Sequence, residues 1–350
     1  MALDAGYSDN FPALLQELDV SLIMSTYQAG KLILLSSDGE QIIQLTRNFD
    51  RPMGIALQGD MMALALRMNV ALFRNHGELA RTYPKKPDCY DSLYFPLAIN
   101  KTDFIDTHDL FFTNQGLVAV NTAFSCLVKI DSTFSFQPVW RPPFINDYSA
   151  VDYCHLNGMA VDEAGEIVYV TAFGQTATPE GWRANKLQGG FVMDTRTNDV
   201  VVDGLGMPHS PRMYRDQLYV LSSANEQLLR VNLEEGTTEI VAEVHGFIRG
   251  LSFVDNYAFI GISKLRKSHT FGDLHIAKRK IQSGVVAINL ETGEKAGEVL
   301  YGDELSEIYD VHVLAGMRRP NVLNLPMSEQ YRAMITPEGA RWVTDKDSQR

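Results

Sequence analysis

The segment HLNGMAV, residues 155–161, places a histidine and an asparagine ahead of a glycine and a short apolar strand. Five further segments have a similar form: RPMGIAL from Arg51, DTHDLFF from Asp106, HSPRMYR from His209, FIRGLSF from Phe247 and IYDVHVL from Ile308. Aligning Gly54, Asp109, Gly158, Arg212, Gly250 and Asp310 gives spacings of 55, 49, 54, 38 and 60 residues. A four-stranded propeller blade occupies roughly 40–50 residues. The repeat therefore predicts an all-β propeller.

The two ends of the chain predict how the ring closes. Three strand-like segments precede Arg51 without an opening of their own, namely VSLIMSTYQ, KLILLSS and EQIIQL. The last opening, from Ile308, lacks room for three regular strands after it. We expect the N-terminal strands and one C-terminal strand to form a sixth blade, which leaves no sheet edge unpaired in the ring. Two β-sandwich domains are the alternative, and they explain neither the stacked openings nor the incomplete first unit.

The expected architecture is thus one six-bladed β-propeller domain over residues 1–350, with blades opening near 51, 106, 155, 209, 247 and 308. A short helix is expected near the N-terminus, in PALLQEL, and SEQYRAM near the other end also looks helical. The final segment is expected to be an irregular tail.

Composition limits the partners and the compartment. The net charge of −12 argues against nucleic acid and anionic membrane surfaces, which both require a basic footprint. No apolar run approaches the roughly 18 residues of a membrane span. Three widely spaced cysteines and an N-terminus without a secretion signal predict a reducing, cytoplasmic location.

The propeller predicts that one group of polar residues converges on a channel mouth. In this fold the loop that enters each innermost strand shares a face with the loop between the second and third strands. The entry loops contribute Arg51, Asp106, His108, His155, Asn157, His209 and Arg249, and the second-to-third strand loops add Tyr27, Gln28 and Lys264. We expect these residues to border one site.

Several chemistries suit this set of residues. Neutral imidazoles of His108, His155 and His209, with Asn157, are ligands for a divalent metal ion. The same histidines are candidate catalytic bases, oriented by a carboxylate such as Asp106 or Asp109. Arg51, Arg249 and Lys264 are suited to binding a carboxylate or phosphate, with Tyr27 and Gln28 as further substrate contacts. The structural alternative is a wet channel whose polar groups only bond one another.

Three further features have two interpretations each. Cys154 is either a thiolate nucleophile or ligand, or a small buried residue. The insertion TATPEGWRANK presents Trp182 and Arg183, which either cover a ligand or pack on a neighbouring blade. The insertion KLRKSHTFGDLHIAKRK is either a lid or an exposed basic loop, and the exposed loop is favoured.

Two family resemblances follow from particular blocks. STYQAGKL, RPMGIAL, HLNGMAVD, MPHSPR, and RGLSF followed by GISK resemble the blocks of a bacterial propeller family of conserved hypothetical proteins with a domain of unknown function. This resemblance implies a single propeller and supplies no reaction. HLNGMAVDEAGEIVYVT locally resembles the gluconolactonase and regucalcin propellers, which implies a metal-binding role for Asn157. The next blade has Pro211-Arg212 where that family has aspartate-glycine.

The leading functional hypothesis is an enzyme that acts on a small anionic substrate, such as a lactone, a sugar acid or a modified peptide, as a metal-assisted hydrolase or lyase. The alternative is a non-catalytic propeller that binds a protein or peptide across the same face, with exposed aromatic anchors such as Trp182. A third hypothesis is an inert structural channel within a larger assembly.

Overall fold

A ring of six antiparallel sheets surrounds a central channel in the computed structural model, which describes residues 3–265 and 274–343. The first strand of each sheet lies innermost and packs beside the first strands of its two neighbours. The sequence prediction of a six-bladed all-β propeller is therefore confirmed. Among the described residues there is no helix with the length and apolar character that a membrane crossing requires.

Each blade has four strands, which run in order from the channel outward. Blade 1 consists of Ile55–Gln58, Met61–Ala65, Asn69–Asn75 and Ser92–Lys101. Blade 2 consists of Thr107–Thr113, Gly116–Asn121, Cys126–Lys129 and Gln137–Trp140. Blade 3 consists of Leu156–Val161, Ile167–Ala172, Gly190–Asp194 and Val200–Leu205.

The second half of the ring contains the closing blade. Blade 4 consists of Pro208–Tyr214, Gln217–Ser222, Gln227–Asn232 and Thr237–Glu243. Blade 5 consists of Phe247–Val254, Tyr257–Ser263, Gly284–Asn289 and Lys295–Tyr301. Blade 6 consists of Asp310–Ala315, Val20–Thr26, Lys31–Ser37 and Ile42–Asn48, which is the predicted closure by three N-terminal strands and one C-terminal strand.

Apolar side chains between neighbouring blades hold the ring together. Middle strands such as Val20–Thr26 and Lys31–Ser37 are buried along almost their whole length, because both faces of a blade pack against another blade. Six of the hydrophobic clusters lie between successive blades, one at each of the six blade interfaces. The hydrophobic effect thus acts across every interface of the ring.

The two chain ends also cover the outer edges of two blades. Ala5–Tyr7 pairs with the outermost strand of blade 5, and Pro320–Val322 pairs in parallel with that of blade 1. The predicted N-terminal helix is Phe11–Glu17, and a further short helix is Gly77–Arg81. The remaining elements are the 3-10 helices Gly181–Asn185, His275–Lys278 and Ser328–Arg332 and the hairpin Ala333–Thr336 with Gly339–Trp342. The final segment therefore contains regular structure where an irregular tail was expected.

The aligned position of the six openings alternates between glycine and a charged residue around the channel. Blades 2, 4 and 6 contribute Asp109, Arg212 and Asp310, and Arg212 lies between the two carboxylates. The glycines at the aligned positions of blades 1, 3 and 5 leave room for these charged residues and their neighbours. A Cβ atom on Gly158 would lie 2.4 Å from the Pro211 ring, and Gly250 has a φ of +78°. The charged residues therefore form a floor that crosses the channel below its mouth.

Candidate functional site

The channel mouth contains a cavity of about 240 Å³. Seven of the predicted site residues line it: Tyr27, Arg51, Asp106, His108, His155, His209 and Arg249. The other lining residues are Met53, Phe104, Phe173, Trp182, Arg183, Met207, Phe247 and Tyr309. The blade openings thus bring most of the predicted site together in one small, largely aromatic cavity.

Two of the histidines are fixed in a single tautomer by hydrogen bonds to the main chain. His108 Nδ1 lies 3.0 Å from the carbonyl oxygen of Asp106 and 2.7 Å from Thr122 Oγ1, which itself donates to a carbonyl. His209 Nδ1 lies 3.0 Å from the carbonyl oxygen of Met207 and 2.7 Å from Ser223 Oγ, which also donates to a carbonyl. A carbonyl only accepts, so each Nδ1 carries the proton and each Nε2 has a free lone pair.

The third histidine is oriented by a carboxylate that sequence reasoning missed. His155 Nδ1 lies 2.7 Å from Asp152 Oδ2, and the His155 main-chain N–H donates to Asp152 Oδ1 at 2.8 Å. Trp182 Nε1 donates to the same Oδ2 at 3.1 Å. Burial alone would raise the pKa of Asp152, but the neighbouring His155 ring brings it below its usual value. The carboxylate accepts the hydrogen bond from Nδ1–H of His155, which directs the Nε2 edge of the ring away from Asp152.

The environment keeps His108 and His209 neutral. Desolvation lowers the pKa of both rings, and the charge of Arg249 lowers the pKa of His209 further. Neutral imidazoles with unprotonated Nε2 atoms can accept a proton or a hydrogen bond from a bound molecule. The mouth therefore contains two preformed proton acceptors, His108 and His209.

The backbone at three blade openings is strained. Arg51, Asp106 and His155 have φ values of 49°, 51° and 52°, in the left-handed region that non-glycine residues seldom occupy. All three lie three residues before the aligned position of their blade, and all three line the cavity. Strain of this kind concentrates at functional sites, where surrounding structure holds it. The same backbone form thus directs one side chain from each of three successive blades to the mouth.

Arginine side chains give the mouth a positive charge. The lining contains Arg51, Arg183 and Arg249 but one acidic residue, Asp106. Arg51 lies over the Tyr27 ring at 5.6 Å, and within the described ranges it forms no ion pair or hydrogen bond. Arg249 lies 4.4 Å from the Tyr309 ring centre, and its Nη2 is 3.5 Å from Glu307. Arg183 forms an ion pair with Glu180 at 2.6 Å, so Arg51 is the lining arginine whose charge no acidic residue of the described ranges offsets.

The blade 3 insertion forms one wall of the cavity. Trp182 is only 3% exposed, and its ring lies 4.5 Å from that of His155 and 5.3 Å from that of Phe173. Trp182 was expected to be an exposed anchor under the peptide-binding alternative. Its burial is a correction, and the physical reason is its packing against two ring systems and its bond to Asp152.

The blade 5 insertion is described in part. Leu274 and Ile276 pack with Trp182 and Phe247 beside the mouth, and Glu226 forms ion pairs with His275 and Arg279. This part packs on the propeller instead of standing free as an exposed loop. Residues 266–273 of the insertion lie outside the described residues.

Three predicted residues do not line this cavity. The exposed Gln28 bonds the Tyr27 hydroxyl and Ser306. Lys264 turns to a separate surface pocket, where Nζ donates to the carbonyl of Gly302 and pairs with Asp303 at 2.9 Å. Asn157 lies below the mouth, where its Oδ1 accepts from Thr171 at 2.8 Å.

The positions of the three imidazole rings bear on the predicted metal site. His108 and His155 are adjacent, with centroids 5.0 Å apart, but the Phe173 ring packs against both His155 and His209. The described residues contain no group of three or more His, Cys, Asp or Glu side chains suitably placed for one metal ion. The metal centre formed by His108, His155, His209 and Asn157 stays a prediction.

Cys154 has the environment of a structural residue. It is fully buried between blades 2 and 3, and burial raises the pKa of its thiol to about 12. A thiol in this state is protonated at neutral pH and is a weak nucleophile. The interpretation of Cys154 as a buried space-filling residue is the one that this environment supports.

The sequence matches a known protein family over most of its length. The model of a family described as "Domain of unknown function (DUF4915)" matches residues 9–323. The chain belongs to the DUF4915 family. None of the curated proteins matches it.

Solved structures similar to this DUF4915 protein share its fold at low identity. A protein of unknown function from Bacteroides caccae has a TM-score of 0.54 and 10% identity, over 84% of this chain and 98% of the other. A chain from the crystal structure of a nidogen/laminin complex has a TM-score of 0.51 and 10% identity, over 85% of this chain and 98% of the other. At this identity the likeness shows the fold alone.

Asp152 is the site residue of this DUF4915 protein that sequence reasoning most clearly missed. It lies six residues before the aligned Gly158, outside the stacked openings. A signal was available, since aspartate accepts hydrogen bonds from main-chain amides a few residues downstream, and Asp152 precedes His155 by three. Phe173 directly follows the second strand of blade 3, so the rule for second-to-third strand loops could have found it, whereas Phe104 lies in a loop of no regular pattern.

Proposed function

We propose that the mouth cavity binds a small anionic molecule and transfers a proton to or from it, as a lyase or hydrolase does. The observation that carries this proposal is Arg51, a guanidinium without an acidic partner in the described chain, facing histidines whose Nε2 atoms are bare. Arginine binds carboxylate and phosphate with paired hydrogen bonds. The cavity of about 240 Å³ favours a molecule smaller than most drug-sized ligands.

The residues have separate roles in this proposal. Arg51 and Arg249 bind the anionic group, while the rings of Trp182 and Phe173 pack on the remainder of the molecule. His155 Nε2 accepts the proton, and Asp152 holds the ring in that tautomer and stabilises the imidazolium that forms. The resulting reaction class is general-base chemistry on an anionic substrate.

Binding is tested with a panel of anions: inorganic phosphate, acetate, citrate and glucose 6-phosphate, with glucose as a neutral control. Thermal shift identifies binders, and calorimetry gives their dissociation constants. Arg51→Gln is expected to weaken the best binder at least ten-fold, since a charged hydrogen bond contributes about 1.5–3 kcal/mol. Arg74→Gln removes the same charge from the exposed outer part of blade 1 and is expected to leave binding unchanged. Equal losses in both variants would contradict the proposal.

Proton transfer is tested separately from binding. Anions that bind are incubated with the protein in D₂O, and NMR follows deuterium incorporation and product formation. Asp152→Asn is expected to abolish turnover while the anion still binds, because the asparagine permits the wrong histidine tautomer. Wild-type protein that binds an anion without exchange or turnover would support the non-catalytic alternative.

The peptide-binding alternative has one observation in its favour. Phe104 lines the cavity and is 50% exposed, so its ring is available to a longer ligand at the rim. In this alternative the terminal carboxylate of a peptide occupies the arginine site. Phe104→Ala would then weaken a peptide far more than it weakens acetate, which a calorimetric comparison of the two ligands would measure.

A further inference from the structure

Below the histidines lies a second, much smaller chamber. Its volume is about 10 Å³, which matches one water-sized group. His108, His209, Arg249 and Tyr309 border both this chamber and the mouth cavity, so the two spaces adjoin. The chamber is therefore the deepest position that a group on a ligand of the mouth can reach.

Three buried polar atoms of the chamber walls have no hydrogen-bond partner in the described structure: Asn157 Nδ2, Arg212 Nε and the Tyr309 hydroxyl. The three residues are 4%, 7% and 6% exposed, and they come from blades 3, 4 and 6. Each of these atoms carries a hydrogen that it can donate. Leaving a buried donor unpaired costs about 1–3 kcal/mol. Three unpaired donors around one chamber therefore favour the binding of an acceptor atom there.

The acidic residues of the chamber have their oxygens occupied by protein donors. Asp109 Oδ2 accepts from Arg212 and from the main chain of Met159. Asp310 Oδ2 accepts from the main chain of Ile55 and lies 3.1 Å from His312 Nε2. The two carboxylates are therefore already engaged by protein donors, and Arg212 lies between them.

We propose that this chamber binds one oxygen atom of a carboxylate, so that the ligand of the mouth is a small carboxylic acid whose acid group points down the channel. This inference rests on the proposed function. One carboxylate oxygen fits the chamber and accepts from Asn157, Arg212 and Tyr309, while the other oxygen stays in the mouth, where Arg51 and Arg249 bind it. The rest of the molecule then lies among the aromatic rings of the mouth.

The test measures carboxylate binding in three matched variants. Equilibrium dialysis with radiolabelled acetate and gluconate gives the dissociation constants, and crystals soaked in acetate give the position. Tyr309→Phe and Asn157→Asp are expected to weaken binding at least ten-fold, since each removes a donor to a charged oxygen. Tyr301→Phe is the control, because Tyr301 also has a buried hydroxyl without a partner but lies in the core between blades 5 and 6.

The outcomes separate this inference from the proposed function. An acetate oxygen within hydrogen-bond distance of Tyr309 and Asn157, with binding unchanged in Tyr301→Phe, supports it. Loss of binding in Arg51→Gln but not in Tyr309→Phe would overturn the chamber and leave the anion site. Acetate bound outside the chamber, with unchanged dissociation constants in Tyr309→Phe and Asn157→Asp, would also overturn the inference. Binding of no anion at all would remove both proposals.

Discussion

Replacing Arg212 with leucine tests the charged floor of the channel. Its Nη1 and Nη2 lie 2.8 Å and 3.1 Å from the two oxygens of Asp109, and Nη2 lies 3.8 Å from Asp310. Breaking a buried ion pair from one side costs about 3–5 kcal/mol, because the remaining charge is left without compensation. The guanidinium also lies 4.8 Å from the Phe111 ring centre, a contact that contributes about 1 kcal/mol. The variant should lose about 4–6 kcal/mol of unfolding free energy.

Urea unfolding at pH 7.5, followed by circular dichroism, measures this loss. Arg230→Leu is the matched control, since Arg230 forms an exposed ion pair with Glu239 and such pairs contribute about 0–1 kcal/mol. A loss of less than about 2 kcal/mol of unfolding free energy in Arg212→Leu, or a loss no larger than that of the control, would show that the ion pair does not stabilise the floor of the channel.

The same variant has an expected pH dependence. Burial already raises the pKa of Asp109, and the loss of Arg212 raises it further. A carboxyl group with a folded pKa above its unfolded value loses stability as the pH rises, because the unfolded chain ionises first. The deficit of Arg212→Leu relative to wild type should therefore be smaller at pH 5 than at pH 7.5.

Three further predictions concern His209, the cysteines and the predicted metal site. Burial lowers the pKa of His209, so the unfolded chain takes up a proton at this residue before the folded protein does. The wild type therefore loses unfolding free energy as the pH falls through the unfolded pKa of about 6.5. Between pH 7.5 and 5.5, His209→Gln should lose about 1 kcal/mol less unfolding free energy than the wild type, as urea unfolding at the two pH values would show. Iodoacetamide at pH 8 should label the half-buried Cys89 and leave Cys126 and Cys154 unmodified in native protein, as mass spectrometry would show, because burial raises the pKa of both thiols to about 12. The metal prediction requires near-stoichiometric divalent metal in untagged protein and its loss in His155→Ala; metal-free wild type that takes up no added ion would contradict it.

The blade repeat made the architecture predictable from sequence. The openings recur because every inner strand needs a short apolar run after a polar entry, and the incomplete unit at the N-terminus required closure by the last opening. The same alignment predicted that Arg51, Asp106, His155 and Arg249 meet, since position within a blade fixes the face of the ring on which a residue lies.

What the repeat could not predict depends on side-chain direction and on loops. Lys264 follows a second strand, but its side chain turns outward to Asp303. The pairing of Arg212 with Asp109 crosses the channel between blades 2 and 4, and a linear alignment contains no information on such distances. The edge strand Ala5–Tyr7 was missed because three residues are too few for a period-2 pattern.

We propose that the mouth of this DUF4915 propeller binds a small anion between Arg51 and Arg249. A crystal structure of the protein soaked with the tightest-binding anion of the panel tests it directly. We expect electron density for the anion in the cavity between those two guanidinium groups, beside His155 and Trp182. Anion binding in the mouth would be contradicted by an empty mouth and an anion bound elsewhere, such as beside Lys264 and Arg279 on blade 5.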